Sequence, residues 1–201
     1  MNHETTIIDL IRHGEPEGGP MFRGTKNDPL SELGWRQMNA VIDPAEHWDV
    51  VLSSPMERCI QFGETVAERL RVPLHSDDRL REIGFGEWEG LTVEQIQTRY
   101  GKERLARFWA DAELNTPPGG ERLSHFQVRV EAAWQEWTEG LAGQRVLLVG
   151  HGGVVRVVVG HIMGIPRERV LSAIQVPYAC RSRVRLDRSD HGSLSCLLSH
   201  G

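Results

Sequence analysis

The chain has 201 residues, 39% hydrophobic and 25% charged, and its 21 glycines bring the apolar share near half, the ordinary globular value. That excludes a disordered tail or a fibre and makes one domain over residues 1–201 the expectation. Acidic residues number 28 against 23 basic ones, which argues against a broad nucleic-acid footprint but says nothing of a local cationic pocket. Cys59, Cys180 and Cys196 are odd in number and widely spaced. They suggest neither a disulfide framework nor a zinc site and read as buried or idle thiols in a reducing cytosol. The first ten residues lack a basic-then-apolar order, and no apolar run approaches the ~18 residues of a membrane helix. A cytoplasmic protein with no membrane and no nucleic-acid partner is expected.

In chain order, Thr5-Thr-Ile-Ile-Asp-Leu-Ile11 is short, β-branched and apolar, as a strand buried on both faces should be. Asp49-Val-Val-Leu-Ser53 and Arg145-Val-Leu-Leu-Val149 repeat the pattern, each ending in a polar or Gly-containing break. Helices are predicted over Ser31 to Val41, Met56 to Leu70, Thr92 to Tyr100, Glu103 to Ala112, Glu121 to Leu141 and Val154 to Met163. Gly34 counts against the first, and Ser54-Pro55 reads as an N-cap with proline at the first helical position of the second. Phe85 to Gly90 and Asn115 to Gly120 read as loops. From Cys180 to Leu198, alternation over Arg183 to Asp187 and a turn signal at Asp190-His-Gly-Ser193 predict a closing hairpin. Apolar strands alternating with amphipathic helices imply an α/β fold, three-layer α/β/α with a mainly parallel central sheet and helices on both faces.

Ligands of such sheets gather beyond the carboxyl ends of the strands. Arg12-His13-Gly14-Glu15 follows the first strand, Gly150-His151-Gly152-Gly153 follows the strand at 145–149, and Arg58 lies in the first turn of the helix after the strand at 49–53. Taken singly, each residue reads as turn punctuation or a solvated face. Together, two imidazoles and two guanidinium groups facing one crevice suit a dianion held by planar, permanently charged forks while a neutral nitrogen attacks it.

Leu10-Ile-Arg-His-Gly-Glu15 resembles the signature of the histidine phosphatase superfamily, the phosphoglycerate mutase-like proteins. Six further blocks stand in the family's order: Phe22-Arg-Gly24, Pro29 to Gly34, Ser53-Ser-Pro-Met-Glu-Arg58, Leu80 to Gly90, Pro117-Pro-Gly-Gly-Glu121 and Val149 to Gly153. Together they span about residues 7–160. The resemblance implies a phosphate pocket of Arg12, His13, Arg58 and His151. In it His13 becomes a phosphohistidine that water hydrolyses, the arginines and His151 stabilise the equatorial oxygens, and no metal or other cofactor is needed. Glu82 holds the family's acid position, protonating the leaving oxygen and later taking a proton from water. His13 must be neutral at the attacking nitrogen, so its other nitrogen should donate to a fixed acceptor such as a backbone carbonyl.

Glu87 and Glu89 rank below Glu82, as solvated turn residues, and Glu121 reads as an N-terminal helix residue. Arg23 and Gly24 are expected to touch substrate. Phe85 and Trp88 are candidate pocket walls, Trp88 able to stack on a ring, though core packing is the default for both. The other histidines, His3, His47, His75, His125, His161, His191 and His200, have no ligand spacing and read as structural or exposed. Members that act as mutases carry a Thr and an Asn where this chain has Pro16 and Gly19. That departure, with a chain shorter than those mutases, makes a phosphatase of small phosphorylated metabolites the leading expectation. Short relatives include broad phosphatases and alpha-ribazole-5'-phosphate phosphatases of cobalamin biosynthesis, so alpha-ribazole 5'-phosphate is a candidate substrate. The alternatives are mutase-type transfer and a non-catalytic phospho-ligand binding module.

Overall fold

The computed structural model describes residues 4–190 and 192–201; His3 and His191, with the centre of the expected hairpin turn, lie outside them. In chain order the elements are β1 (Glu4–Arg12), α1 (Glu32–Ala40), β2 (Val50–Ser53), α2 (Glu57–Leu70), β3 (Leu74–Ser76), α3 (Val93–Tyr100), α4 (Lys102–Ala110), α5 (Leu123–Gly140), β4 (Arg145–Gly150), α6 (Gly152–Met163), β5 (Arg181–Ser189) and β6 (Gly192–His200). The strands form one sheet in the order β3-β2-β4-β1-β5-β6. The first four are parallel neighbours, and β5 and β6 add an antiparallel hairpin beside β1. The fold is the three-layer α/β arrangement expected. Strand β3 was not predicted, because it is a three-residue edge strand with His75 and Ser76 exposed.

Alternation along the central strands feeds two cores. Ile8, Leu10, Val50, Leu52, Val146 and Leu148 pack with residues of α3 to α6, whereas Ile11, Val51, Leu147 and Val149 pack with α1 and α2. This is why the parallel strands read as continuous apolar runs. One charge interrupts the second core. Asp9 is fully buried and accepts hydrogen bonds from Trp48 Nε1 at 2.8 Å, Arg183 Nε at 2.8 Å and Arg181 Nε at 3.0 Å. Burial alone would raise its pKa, and the bonds from Arg183, Arg181 and Trp48 outweigh burial and hold it below the usual carboxylate range.

Local capping signals explain two of the six helix starts among the described residues. Ser31 caps α1 by accepting from Gly34 N at 3.0 Å, and Thr92 with Gln95 forms a capping box on α3. Gly34, unfavourable for a helix on propensity, is required by packing: a Cβ there would lie 2.2 Å from Glu15 O, and one on Gly14 2.3 Å from Gly34 O. Helix α1 therefore crosses the loop after β1 in backbone-to-backbone contact. The expected Ser54 cap is corrected. Helix α2 begins at Glu57 behind Met56 with no side-chain cap; the Ser54 hydroxyl lies two residues too early, accepting from Met56 N at 3.4 Å and bonding His151 Nε2 at 2.7 Å. Glu121 likewise lies outside α5, whose N-cap is Arg122.

Candidate active site

Strands β1, β4 and β2 end level, with Arg12 opposite Gly150 and Ser53 opposite Val149. The residues that follow them are pinned by backbone bonds: His13 N–H donates to Gly150 O at 2.9 Å and Ser54 N–H to Val149 O at 3.0 Å. The imidazoles of His13 and His151 consequently meet edge to face, with ring centroids 5.2 Å apart. Both are buried, as is Arg58.

The protonation state of His13 follows from its neighbours. Gly14 O lies 2.7 Å from Nδ1, and a carbonyl can only accept, so Nδ1 carries the hydrogen and Nε2 the lone pair. This is the backbone acceptor the sequence reading required. Burial, then the charges of Arg58 and Arg12, push the His13 pKa well below the usual imidazole value. His151 is lowered for the same leading reasons, burial and Arg58. Its Nε2 shares a 2.7 Å hydrogen bond with Ser54 Oγ. Cys59 Sγ is 3.7 Å from His151 Nε2, but burial pushes this thiol up to about 12, so it is no nucleophile at neutral pH.

The guanidinium groups are held by carbonyls. Arg12 donates from Nη1 to Val176 O at 2.6 Å and lies 4.2 Å over the Tyr178 ring. Arg58 donates to Lys26 O at 2.7 Å and Gly24 O at 3.1 Å. In both, Nε is buried with no hydrogen-bond partner among the described residues. A buried donor left unsatisfied costs ~1–3 kcal/mol, and an oxyanion between the two side chains would relieve it.

An open cavity of about 520 Å³ is lined by Arg12 and His13, whereas Arg58 and His151, both fully buried, are not in its lining. Arg12, Arg23, Glu82, Glu94 and Arg156 supply its charged lining, His13 adds an imidazole, and Met21, Phe22, Phe85, Val93 and Trp109 form much of its apolar wall. Glu82 has both oxygens on backbone donors: Oε2 accepts from Gly153 N at 3.0 Å, the first turn of α6, and Oε1 from Ile83 N at 3.1 Å. A Cβ on Gly153 would stand 2.2 Å from Glu82 Oε1, so glycine makes room for the carboxylate.

Other expected residues take different places. Arg23 lines the cavity, yet its three nitrogens bond to Asp28, Gly19 O and Glu17 O within its own loop. Gly24 is not in the cavity lining; its N–H donates to the Glu89 carboxylate. Glu89 is thereby corrected from a solvated turn residue to a staple, also accepting from Thr25 N at 3.0 Å, Lys26 N at 3.2 Å and Phe85 N at 2.9 Å. Glu87 is exposed and accepts from Tyr100 OH. Trp88 is fully buried in the core, so a stacking role passes to Trp109, 39% exposed in the cavity wall. Trp109, Tyr178 and Arg156 escaped the sequence reading. Only Arg156 left a signal, standing one helical turn after Gly152. His47, His75, His125, His161 and His200 are exposed. Among the described residues no helix is long and apolar enough to cross a membrane.

A family model described as histidine phosphatase superfamily (branch 1) matches residues 8–196. A bifunctional protein of Mycobacterium tuberculosis is 35% identical over 151 residues, covering 73% of this chain, and the chain spans 41% of that relative's length. Phosphoserine phosphatase 1 of Hydrogenobacter thermophilus is 29% identical, covering 81% of this chain and 79% of its own. Among solved structures, a mycobacterial glucosyl-3-phosphoglycerate phosphatase superposes with a TM-score of 0.82 at 23% identity over 98% of both chains, a likeness of fold. An alpha-ribazole phosphatase from Shigella flexneri gives 0.75 at 25% identity, over 96% of this chain and 95% of its own.

Proposed function

The chain belongs to the histidine phosphatase superfamily, branch 1, and from that membership we propose that it hydrolyses small phosphomonoesters, without a metal ion, through a phosphohistidine on His13. The phosphoryl group enters between Arg12 and Arg58. Nε2 of His13 attacks phosphorus as the ester P–O bond breaks, and Glu82, protonated, gives its proton to the leaving oxygen. Arg12, Arg58 and His151 stabilise the equatorial oxygens, the work a metal ion does in other phosphoryl-transfer enzymes. Glu82, now a carboxylate, takes a proton from water, whose oxygen attacks phosphorus. The P–N bond breaks and orthophosphate leaves neutral His13 behind.

The observation that carries this reading is the pairing of the His13 ring, whose Nδ1 is tied to Gly14 O, with two buried arginine Nε atoms that have no partner among the described residues. Hydrolysis rather than mutase-type transfer is supported by the loop after β1, where Pro16 and Pro20 line the cavity without polar side-chain atoms. The apolar wall supports substrates whose alcohol bears a flat ring, with Phe22 and Phe85 edge to face at 5.0 Å. Alpha-ribazole 5'-phosphate is the specific candidate, and with it a cytoplasmic role in cobalamin biosynthesis.

The test is a panel of phosphomonoesters assayed with and without chelator. Hydrolysis indifferent to chelator is expected, with an acid-labile phosphoenzyme that His13→Ala abolishes along with activity, by on the order of a thousandfold or more. Active His13→Ala protein would overturn the mechanism. Phosphoryl transfer to a second substrate would make it a mutase, binding without release a phospho-ligand module. Alpha-ribazole 5'-phosphate hydrolysed no faster than sugar phosphates would remove the specific substrate.

A further inference from the structure

The five N–H donors of Arg129, on the second turn of α5, are all engaged around the segment that carries Glu82. Nη1 donates to Arg79 O at 2.6 Å and Arg81 O at 2.8 Å, and Nη2 to Glu82 O at 3.1 Å and Glu121 Oε2 at 2.8 Å. Nε donates to Glu121 Oε1 at 2.7 Å. Glu121 closes the ring from the other side, its carboxylate accepting from Gly84 N at 3.2 Å and its own N–H donating to Gly84 O at 2.8 Å. The guanidinium sits 4.7 Å over the ring of Phe126. That fully buried ring also backs Gly153, lying 3.0 Å from where a Cβ on that glycine would stand, and Gly153 N holds the Glu82 carboxylate.

We infer that Arg129, locked by Glu121, is the positioning residue of the general acid: it fixes the backbone of residues 79–84 so that the Glu82 carboxyl meets the leaving oxygen. The inference rests on the acid role proposed above for Glu82. Three backbone carbonyls of one short segment, those of Arg79, Arg81 and Glu82, are gripped by one planar side chain, which a lysine, a single point donor, cannot imitate. Among the described residues no hydrogen bond joins this clamp to Arg12 or Arg58, which hang from Val176, Lys26 and Gly24; the Arg129 charge reaches the phosphate end only through space, after burial, Arg58, His13 and Arg12 among the causes that lower the His151 pKa.

The separation of the two ends makes the test selective. Single-turnover release of the alcohol is measured for 4-nitrophenyl phosphate, whose phenolate leaves without help, and for 2-phenylethyl phosphate, whose alkoxide needs a proton. For Glu82→Gln the alkyl ester should slow by about a hundredfold or more and the aryl ester far less. For Arg129→Met the alkyl ester should slow on the order of tenfold while the aryl ester stays within about twofold and KM and orthophosphate affinity hold. Arg129→Lys and Glu121→Gln, which retain part of the clamp, should show the same selectivity in smaller measure and serve if Arg129→Met folds poorly. Equal slowing of both esters in the folded variants, or slowing of neither, would overturn the clamp while Glu82→Gln still discriminates. If Glu82→Gln itself treats both esters alike, the acid role fails and the clamp with it.

Discussion

The two ends of the site are built by different means. The proposed phosphate end is built largely on strand termini: His13 and His151 follow adjacent parallel strands, and their position is fixed by the sheet's own ladder through His13 N to Gly150 O. The leaving-group end is made of loops. Glu82 stands between a short 3-10 turn at Asp78–Leu80 and another at Gly86–Trp88, and it is held by side chains and helix ends rather than by a ladder. On the proposed reading, chemistry common to all phosphomonoesters sits on the part that cannot shift without unfolding the sheet. The part that must suit a particular alcohol sits where substitutions change shape locally, as loops on a rigid scaffold permit.

That contrast can be broken first at the phosphate end. Arg58→Met should lower kcat/KM for every ester alike, by on the order of a hundred- to a thousandfold, and weaken orthophosphate binding measured by calorimetry. Selectivity between alkyl and aryl esters in this variant would contradict the division. At the acid end, Gly153→Ala should displace the Glu82 carboxylate, because Phe126 blocks the other side. About tenfold slower turnover of alkyl esters is expected, with orthophosphate affinity unchanged in the same titration. The smallest effect is on stability. His13 and His151 stay neutral in the fold, whereas the unfolded chain protonates both below about pH 6.5. The unfolded state then binds more protons, so each histidine lowers stability as pH falls through that value. Between pH 7.5 and 5.5 the Tm of the wild type should drop by more than that of His13→Gln, and equal drops would refute a neutral buried His13. The Asp9 cluster works lower on the scale: its contribution is present above about pH 3.9 and is lost as pH falls toward the depressed folded value.

The sheet was legible because its central strands are buried on both faces and therefore lack polar alternation. Of the residues proposed for the phosphate end, His13 and His151 were legible because each directly follows such a strand, and Arg58 because it stands in the first turn of the helix after one. What escaped depends on contacts distant in sequence. Ser54 obeys the cap pattern, but its hydroxyl bonds His151. Glu89 resembles a turn carboxylate until the loop at residues 24–26 folds against it and offers three backbone N–H groups. Of two neighbouring tryptophans, Trp88 is enclosed by Phe22, Tyr100 and Phe108, and Trp109, on α4, reaches the cavity. Neither local propensity nor spacing distinguishes them. Tyr178 sits in a segment without regular structure, where periodicity has no purchase.

The strand order has a consequence for how the molecule comes into being. Strand β1, with Ile7 opposite Arg145 on one side and Arg185 on the other, has no sheet partner until most of the chain has been synthesised. A nascent chain thus carries this apolar strand unpaired through most of translation, a period in which such segments favour wrong association. The His13 and His151 pair is brought together only when β4 inserts between β2 and β1. Competence for chemistry should therefore arise in one of the last steps of folding.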